Sequence, residues 1–189
     1  SNENGSNDYT KIYNLQNGQY INKMDDSNKN NTLYILDWFY NSEQYIIELC
    51  DSKIIIYNFN QRKKHKELKV FLNNGKYYGG FIYSDKLLCS CSSHGFIRIW
   101  DLESFKNIKS IELRNAFYIG IVPWSKNIVI AANYAENSLD IINLEEMKGK
   151  ERINKIKTKH NNGVSIIQKL DDEFYGSIIV SSFTDTVIL

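Results

Sequence analysis

This chain has little net charge. Across 189 residues, 23 lysines and arginines face 22 aspartates and glutamates, a formal net charge of +1. No global field therefore points toward nucleic acid or a membrane surface. Cysteine is scarce. Cys50, Cys89 and Cys91 are odd in number and irregular in spacing, which is not a disulfide framework and fits a reducing compartment. Long apolar runs are missing too. The longest, Phe117 to Trp124, is far too short to span a bilayer. The start, Ser1 to Asp8, is polar and does not read as a signal peptide. Pro123 is the only proline, and no segment has a convincing helical period. The nearest candidate, Leu144 to Lys157, is interrupted by Gly149.

What is present is a repeat. Ile, then an aromatic or apolar residue, then Asn or Asp, then Leu or Phe, recurs four times. It appears as Ile12-Tyr13-Asn14-Leu15, Ile56-Tyr57-Asn58-Phe59, Ile99-Trp100-Asp101-Leu102 and Ile141-Ile142-Asn143-Leu144. The starts at 12, 56, 99 and 141 are 44, 43 and 42 residues apart. Val187-Ile188-Leu189 would begin a fifth copy, 48 residues after the fourth if Leu189 takes the place of Ile141.

Within each period, short runs of β-branched and aromatic residues alternate with turn residues. The second period predicts strands over 32–40, 45–50, 53–59 and 66–71. The third predicts 77–84, 86–92, 96–102 and 107–113, and the fourth 117–124, 127–134, 138–144 and 152–158. Asp51-Ser52, Ser93-His94-Gly95 and Glu136-Asn137 are turn chemistries between second and third strands. Strands such as Lys53-Ile54-Ile55-Ile56-Tyr57 lack polar alternation, as sheets buried on both faces require. The expected fold is all-β: a β-propeller of four-stranded antiparallel blades, partial, with about four to five blades. The blades cover 11–24 in part, 32–71, 77–113, 117–158 and 163–189 in part, after an Asn-rich disordered leader over 1–10. Asp25 to Asn31 reads as a second low-complexity insertion. The apolar last residues fit a piece of a larger propeller better than a small ring closed by the two ends, which would compete for one strand position.

The third period also carries a family resemblance. Leu87-Leu88-Cys89-Ser90-Cys91-Ser92-Ser93-His94-Gly95-Phe96-Ile97-Arg98-Ile99-Trp100-Asp101-Leu102 closely resembles the WD-repeat core, Leu-Leu-Ala-Ser-Gly-Ser-x-Asp-Gly-x-Ile-x-Ile-Trp-Asp-Leu. Cys89, Cys91 and His94 replace the usual Ala, Gly and Asp. His160 to Ile167 looks like the family's Gly-His lead-in to a first strand, with Lys159 in place of the Gly. The other periods are degenerate: Tyr13, Tyr57 and Ile142 stand where Trp100 does, and Asn74 falls near the usual His position. The family's buried His–Asp–Ser–Trp network is complete in no single blade.

The resemblance implies a non-catalytic, cytoplasmic scaffold that binds other proteins or peptides, with no cofactor, no metal and no nucleic acid expected. The loops before first strands and those between second and third strands would share one face. There the partner-binding candidates are Lys76, Tyr77, His94, Arg114, Asn115 and Phe117, beside Asp51 and Asn137. Tyr77, Arg114 and Phe117 are the expected anchors, because aromatic and Arg residues dominate interface energetics. The competing reading buries Tyr77 and Phe117 between blades. An alternative function is phosphoinositide binding at a membrane through Arg62 to Lys66, read as a loop, or through Lys148 to Lys159. The Phe-Arg-Arg-Gly motif of propellers that bind such lipids is missing. Catalysis by His94 with Cys89 and Cys91 is weighed against two small buried core residues, and the latter reading is preferred. Cys-x-Cys with one His lacks zinc spacing. His65 sits in a charged segment, and His160 reads as structural.

Overall fold

The structure, a computed structural model, describes residues 10–24, 32–69, 75–146, 152–158, 163–170 and 177–182. It is all-β, with no helix among the described residues. A hairpin of β1 (Thr10–Tyr13) and β2 (Tyr20–Met24) comes first. Three four-stranded antiparallel sheets follow in chain order. The first holds β3 (Thr32–Tyr40), β4 (Glu43–Cys50), β5 (Lys53–Asn58) and β6 (Lys63–Lys69). The second holds β7 (Tyr77–Ser84), β8 (Leu87–Ser92), β9 (Phe96–Asp101) and β10 (Lys106–Glu112). The third holds β11 (Tyr118–Ser125), β12 (Ile128–Asn133), β13 (Ser138–Asn143) and β14 (Arg152–Lys157). A hairpin of β15 (Val164–Leu170) and β16 (Ser177–Ser182) closes the described chain.

The repeat extends to backbone irregularities. β3, β7, β11 and β15 all slip register near their start against the strand that follows, at Thr32/Tyr34, Tyr77/Gly79, Tyr118/Gly120 and Val164/Ile166, and β7 and β11 slip again at Ile82/Ser84 and Pro123/Ser125. Third and fourth strands also slip at matching places, beside Ile56, Ile99 and Ile141. The bulges add local twist. Sheets so alike can stack face to face without leaving gaps.

Apolar layers fill the spaces between consecutive sheets. Ile12 meets Cys50, Ile55 and Tyr57. On the other face of the same sheet, Ile47, Leu49, Ile54 and Ile56 pack on Tyr77, Leu88 and Trp100. Cys89, Cys91, Ile97 and Ile99 then meet Tyr118, Val129, Ala131 and Ile142. Ile130, Ala132 and Leu139 meet Val164. Alternate residues of one strand thus serve opposite layers, so both faces must be apolar. Each fully buried Leu or Ile contributes about 1.5–3 kcal/mol of transfer free energy. Trp100 donates its indole N–H to Ser90 Oγ at 2.9 Å, which satisfies a polar atom inside this core.

The first strands form the closest inter-sheet line, β3 beside β7, β7 beside β11 and β11 beside β15. Glycine makes this approach possible. A Cβ on Gly79 would stand 3.0 Å from Gly120 Cα, and one on Gly120 would stand 2.7 Å from Ile167 Cγ2. At one end of the stack, β3 and β7 each reach the next sheet's first hairpin turn. Trp38 Nε1 donates to Asp85 O at 2.7 Å, and Tyr83 Oη donates to Asn127 Oδ1 at 2.9 Å.

The expected strands agree with the observed ones to within a few residues, and the all-β blade-like arrangement is present. One expectation is corrected. Lys63 to Lys66 are not a loop but the first half of β6, the exposed outer strand of its sheet. An edge strand has one solvated face and one free edge, so it accepts lysines that would otherwise read as loop residues.

Candidate functional site

The opposite end of the stack gathers the turns between second and third strands with the lead-ins to the first strands. Ser93 N donates to Lys76 O at 2.9 Å, and Lys76 N donates to Ser93 Oγ at 3.0 Å. The next sheet repeats this clamp: Tyr134 N donates to Phe117 O at 2.8 Å, and Phe117 N to Asn133 Oδ1 at 3.2 Å. The ends of fourth strands join the same turns, through Leu113 N to Gly95 O at 3.0 Å and Thr158 N to Asn137 O at 3.1 Å. Lys76 Nζ lies 3.4 Å from Asp51 Oδ1, which ties the turn of one sheet to the lead-in of the next.

Turn chemistry holds this face in shape. Gly95 has φ +71°, and a Cβ there would meet Leu113 O at 2.3 Å. Asn115 and Asn137 also take positive φ, 63° and 52°, which asparagine tolerates.

Five of the six candidate residues reach this surface. Arg114 and Asn115 are exposed at the tip of their loop, and His94 is exposed with its Nδ1 3.1 Å from Ser93 Oγ. Lys76 is half-exposed in its ion pair with Asp51. Phe117 is half-buried between two other rings, with its centroid 5.5 Å from Tyr78 and 5.5 Å from Tyr134, both edge-to-face. Tyr77 differs. Its side chain is completely buried, edge-on to Trp100 at 6.3 Å, and offers no surface to a partner. The pleat explains this: Tyr77 lies on the layer side of β7, and its neighbour Tyr78 takes the opposite, open side.

The three rings line a cavity of about 520 Å³ along the first strands. Its walls are Leu33 and Tyr34 from β3, Tyr78 and Gly79 from β7, Ile119 to Ile121 from β11, Ser165 to Ile167 from β15, and Phe117 and Tyr134 at the rim. Tyr34, Tyr134 and Ile166 are exposed at 42%, 40% and 59%, so the cavity is open. Gly163 is needed beside it, because a Cβ there would stand 2.2 Å from the Tyr134 ring. Tyr78 and Tyr134 were not among the candidates. Each directly follows a core residue, Tyr77 or Asn133, and that adjacency is the signal that could have found them.

Burial pushes the Cys89 and Cys91 thiols far above the ordinary thiol range, so neither is a ready thiolate. Among the described residues, no group of three or more His, Cys, Asp or Glu side chains could hold a metal ion. His65 stands apart on β6, between the rings of Tyr45 at 5.2 Å and Phe105 at 5.5 Å. His160, Lys159 and Asn74 lie outside the described residues, as do Lys148 and Lys150 of the basic stretch. No described helix is long and apolar enough to cross a membrane. Compared with models of protein families and with curated proteins, the chain matches none.

Proposed function

We propose that the chain builds consecutive blades of a WD-repeat-type β-propeller and serves as a non-catalytic platform that binds other proteins or peptides. The observation that carries this reading is the meeting of the loops that hold Lys76, His94, Arg114 and Phe117 at one end of the stack, where Phe117 also lines an open aromatic cavity. Such a face offers what peptide recognition uses: apolar volume for a side chain, aromatic walls, and an exposed arginine, Arg114, on the same end of the stack. The resemblance of Leu87 to Leu102 to the WD-repeat core supports the same reading.

The test is partner capture by the full-length protein carrying Arg114→Glu or Phe117→Ala. Circular dichroism first checks that the strands are intact. Loss of about tenfold or more in affinity is expected for either variant, because interface anchors cost about 2 kcal/mol or more when removed. Unchanged capture by both variants would show that this face is not the one used.

A further inference from the structure

Three aromatic rings from two neighbouring sheets bound one open cavity. Tyr78 stands on β7, Phe117 on the lead-in to β11, and Tyr134 directly after β12. Phe117 is the middle ring, its centroid 5.5 Å from that of Tyr78 and 5.5 Å from that of Tyr134. Its plane makes 61° with the first ring and 65° with the second. Adjacent walls of a small box stand at such distances and angles. Tyr78 and Phe117 are half-buried and Tyr134 is 40% exposed, so all three rings keep surface for a ligand. Packing holds the walls in place. Tyr134 N donates to Phe117 O at 2.8 Å, and Gly163 leaves the Tyr134 ring its room, since a Cβ there would stand 2.2 Å from it.

The rest of the lining decides what fits. Among the described residues, no charged side chain lines the cavity; beyond the aromatic rings it is aliphatic, apart from Gly79, Gly120 and Ser165. A carboxylate or phosphate would find no cation there, and a primary ammonium would bring three N–H donors that need acceptors. A quaternary ammonium has no N–H to satisfy, and the negative faces of aromatic rings attract it. We infer that the Tyr78, Phe117 and Tyr134 rings receive the trimethylated ammonium of a modified lysine on a partner protein. The inference rests on the platform reading, because it names the side chain that enters the same cavity. A volume of about 520 Å³ has room for the head group and the four-carbon stem behind it. Lys76 and Arg114 lie outside the lining, and Lys76 is already paired with Asp51.

Ligand-observed NMR titration of the full-length protein tests it with three small probes. They are Nα-acetyl-trimethyllysine methylamide, its unmethylated lysine counterpart, and a neutral analogue with carbon in place of the ammonium nitrogen. The trimethylated probe should bind, and the other two should bind about tenfold more weakly or worse. Tyr78→Leu keeps an apolar wall but removes a ring, and should weaken the trimethylated probe about fivefold or more, with strands intact by circular dichroism. Arg114→Glu should not weaken it. No binding of the trimethylated probe overturns the inference, as does equal binding of the neutral analogue or unchanged binding in Tyr78→Leu. If the probes fail while Arg114→Glu still loses partner capture, the platform stands and this ligand is struck.

Discussion

Tyr118 and Asp140 are both fully buried and joined by a 2.8 Å hydrogen bond across the inner face of one sheet. Asn133 also donates to Asp140, and its amide reaches Glu136, which pairs with Lys155. The chain therefore carries charge from the solvent edge into an inter-sheet layer without leaving the carboxylate unmatched. The network fixes one arrangement of the strand end that supports Phe117.

Removing the acceptor should be worse than removing the donor. Asp140→Ala takes one acceptor from the Tyr118 hydroxyl and one from the Asn133 amide and leaves a cavity in a buried layer, at a cost of about 2 to 4 kcal/mol. Tyr118→Phe leaves Asp140 with its amide donor and should cost about 1 to 2 kcal/mol. Urea unfolding midpoints at unchanged m-value would measure both. An Asp140→Ala loss no larger than that of Tyr118→Phe would show that the carboxylate is not the hub.

Much of the fold was legible because each four-stranded sheet is one period of the sequence, and periods survive substitution. Strand 77–84 and the turns at Asp51, Gly95 and Asn137 were readable from residue type alone. What was not legible is which side of a bulged strand each residue serves. Tyr77 and Tyr78 look interchangeable in sequence, yet the pleat sends Tyr77 into the layer and Tyr78 to the cavity, and the slip that follows turns Gly79 to the same side as Tyr78. Arg98 and Asp140, at matching places in the second and third four-stranded sheets, were equally silent. Both sit mid-strand, where a charge reads as solvent-facing until the stacking shows both faces covered.

Gly95 and Gly18 separate two costs of a side chain at positive φ. Both take the left-handed region, at +71° and +68°, but a Cβ at Gly18 meets nothing within 4 Å. Gly18→Ala should therefore lose only the conformational preference, about 1 kcal/mol. Gly95→Ala adds a collision with the Leu113 carbonyl, which also accepts the Ala116 N–H, and should cost about 2 kcal/mol more. Equal losses, measured by chemical denaturation, would mean the turn relaxes freely.

The three thiols provide a reporter of opening. Cys50, Cys89 and Cys91 are thiols and are completely buried. Cys89 and Cys91 are held neutral by burial. A native sample at mildly alkaline pH should react with a thiol reagent only as fast as it opens, and reaction should be immediate in denaturant. Fast labelling of Cys89 or Cys91 in native buffer would contradict a closed layer between the second and third four-stranded sheets.

Alkaline pH should loosen the layer between the first and second four-stranded sheets through Tyr77. Burial raises its hydroxyl from an ordinary value of 10.0 to about 12, against a smaller opposing pull from Arg98. The folded state thus keeps a proton that the unfolded chain releases. Its contribution is fully present below the unfolded value and is lost as pH climbs through the window between the two. A gap of that size corresponds to about 2 to 3 kcal/mol. Tyr77→Phe has no proton to lose, so its stability should decline less steeply than wild type over that window. Other tyrosines and the lysines titrate in both proteins, so the difference between the two curves isolates this one group. Parallel curves would mean that the Tyr77 hydroxyl already reaches solvent, which its burial beside Trp100 does not allow.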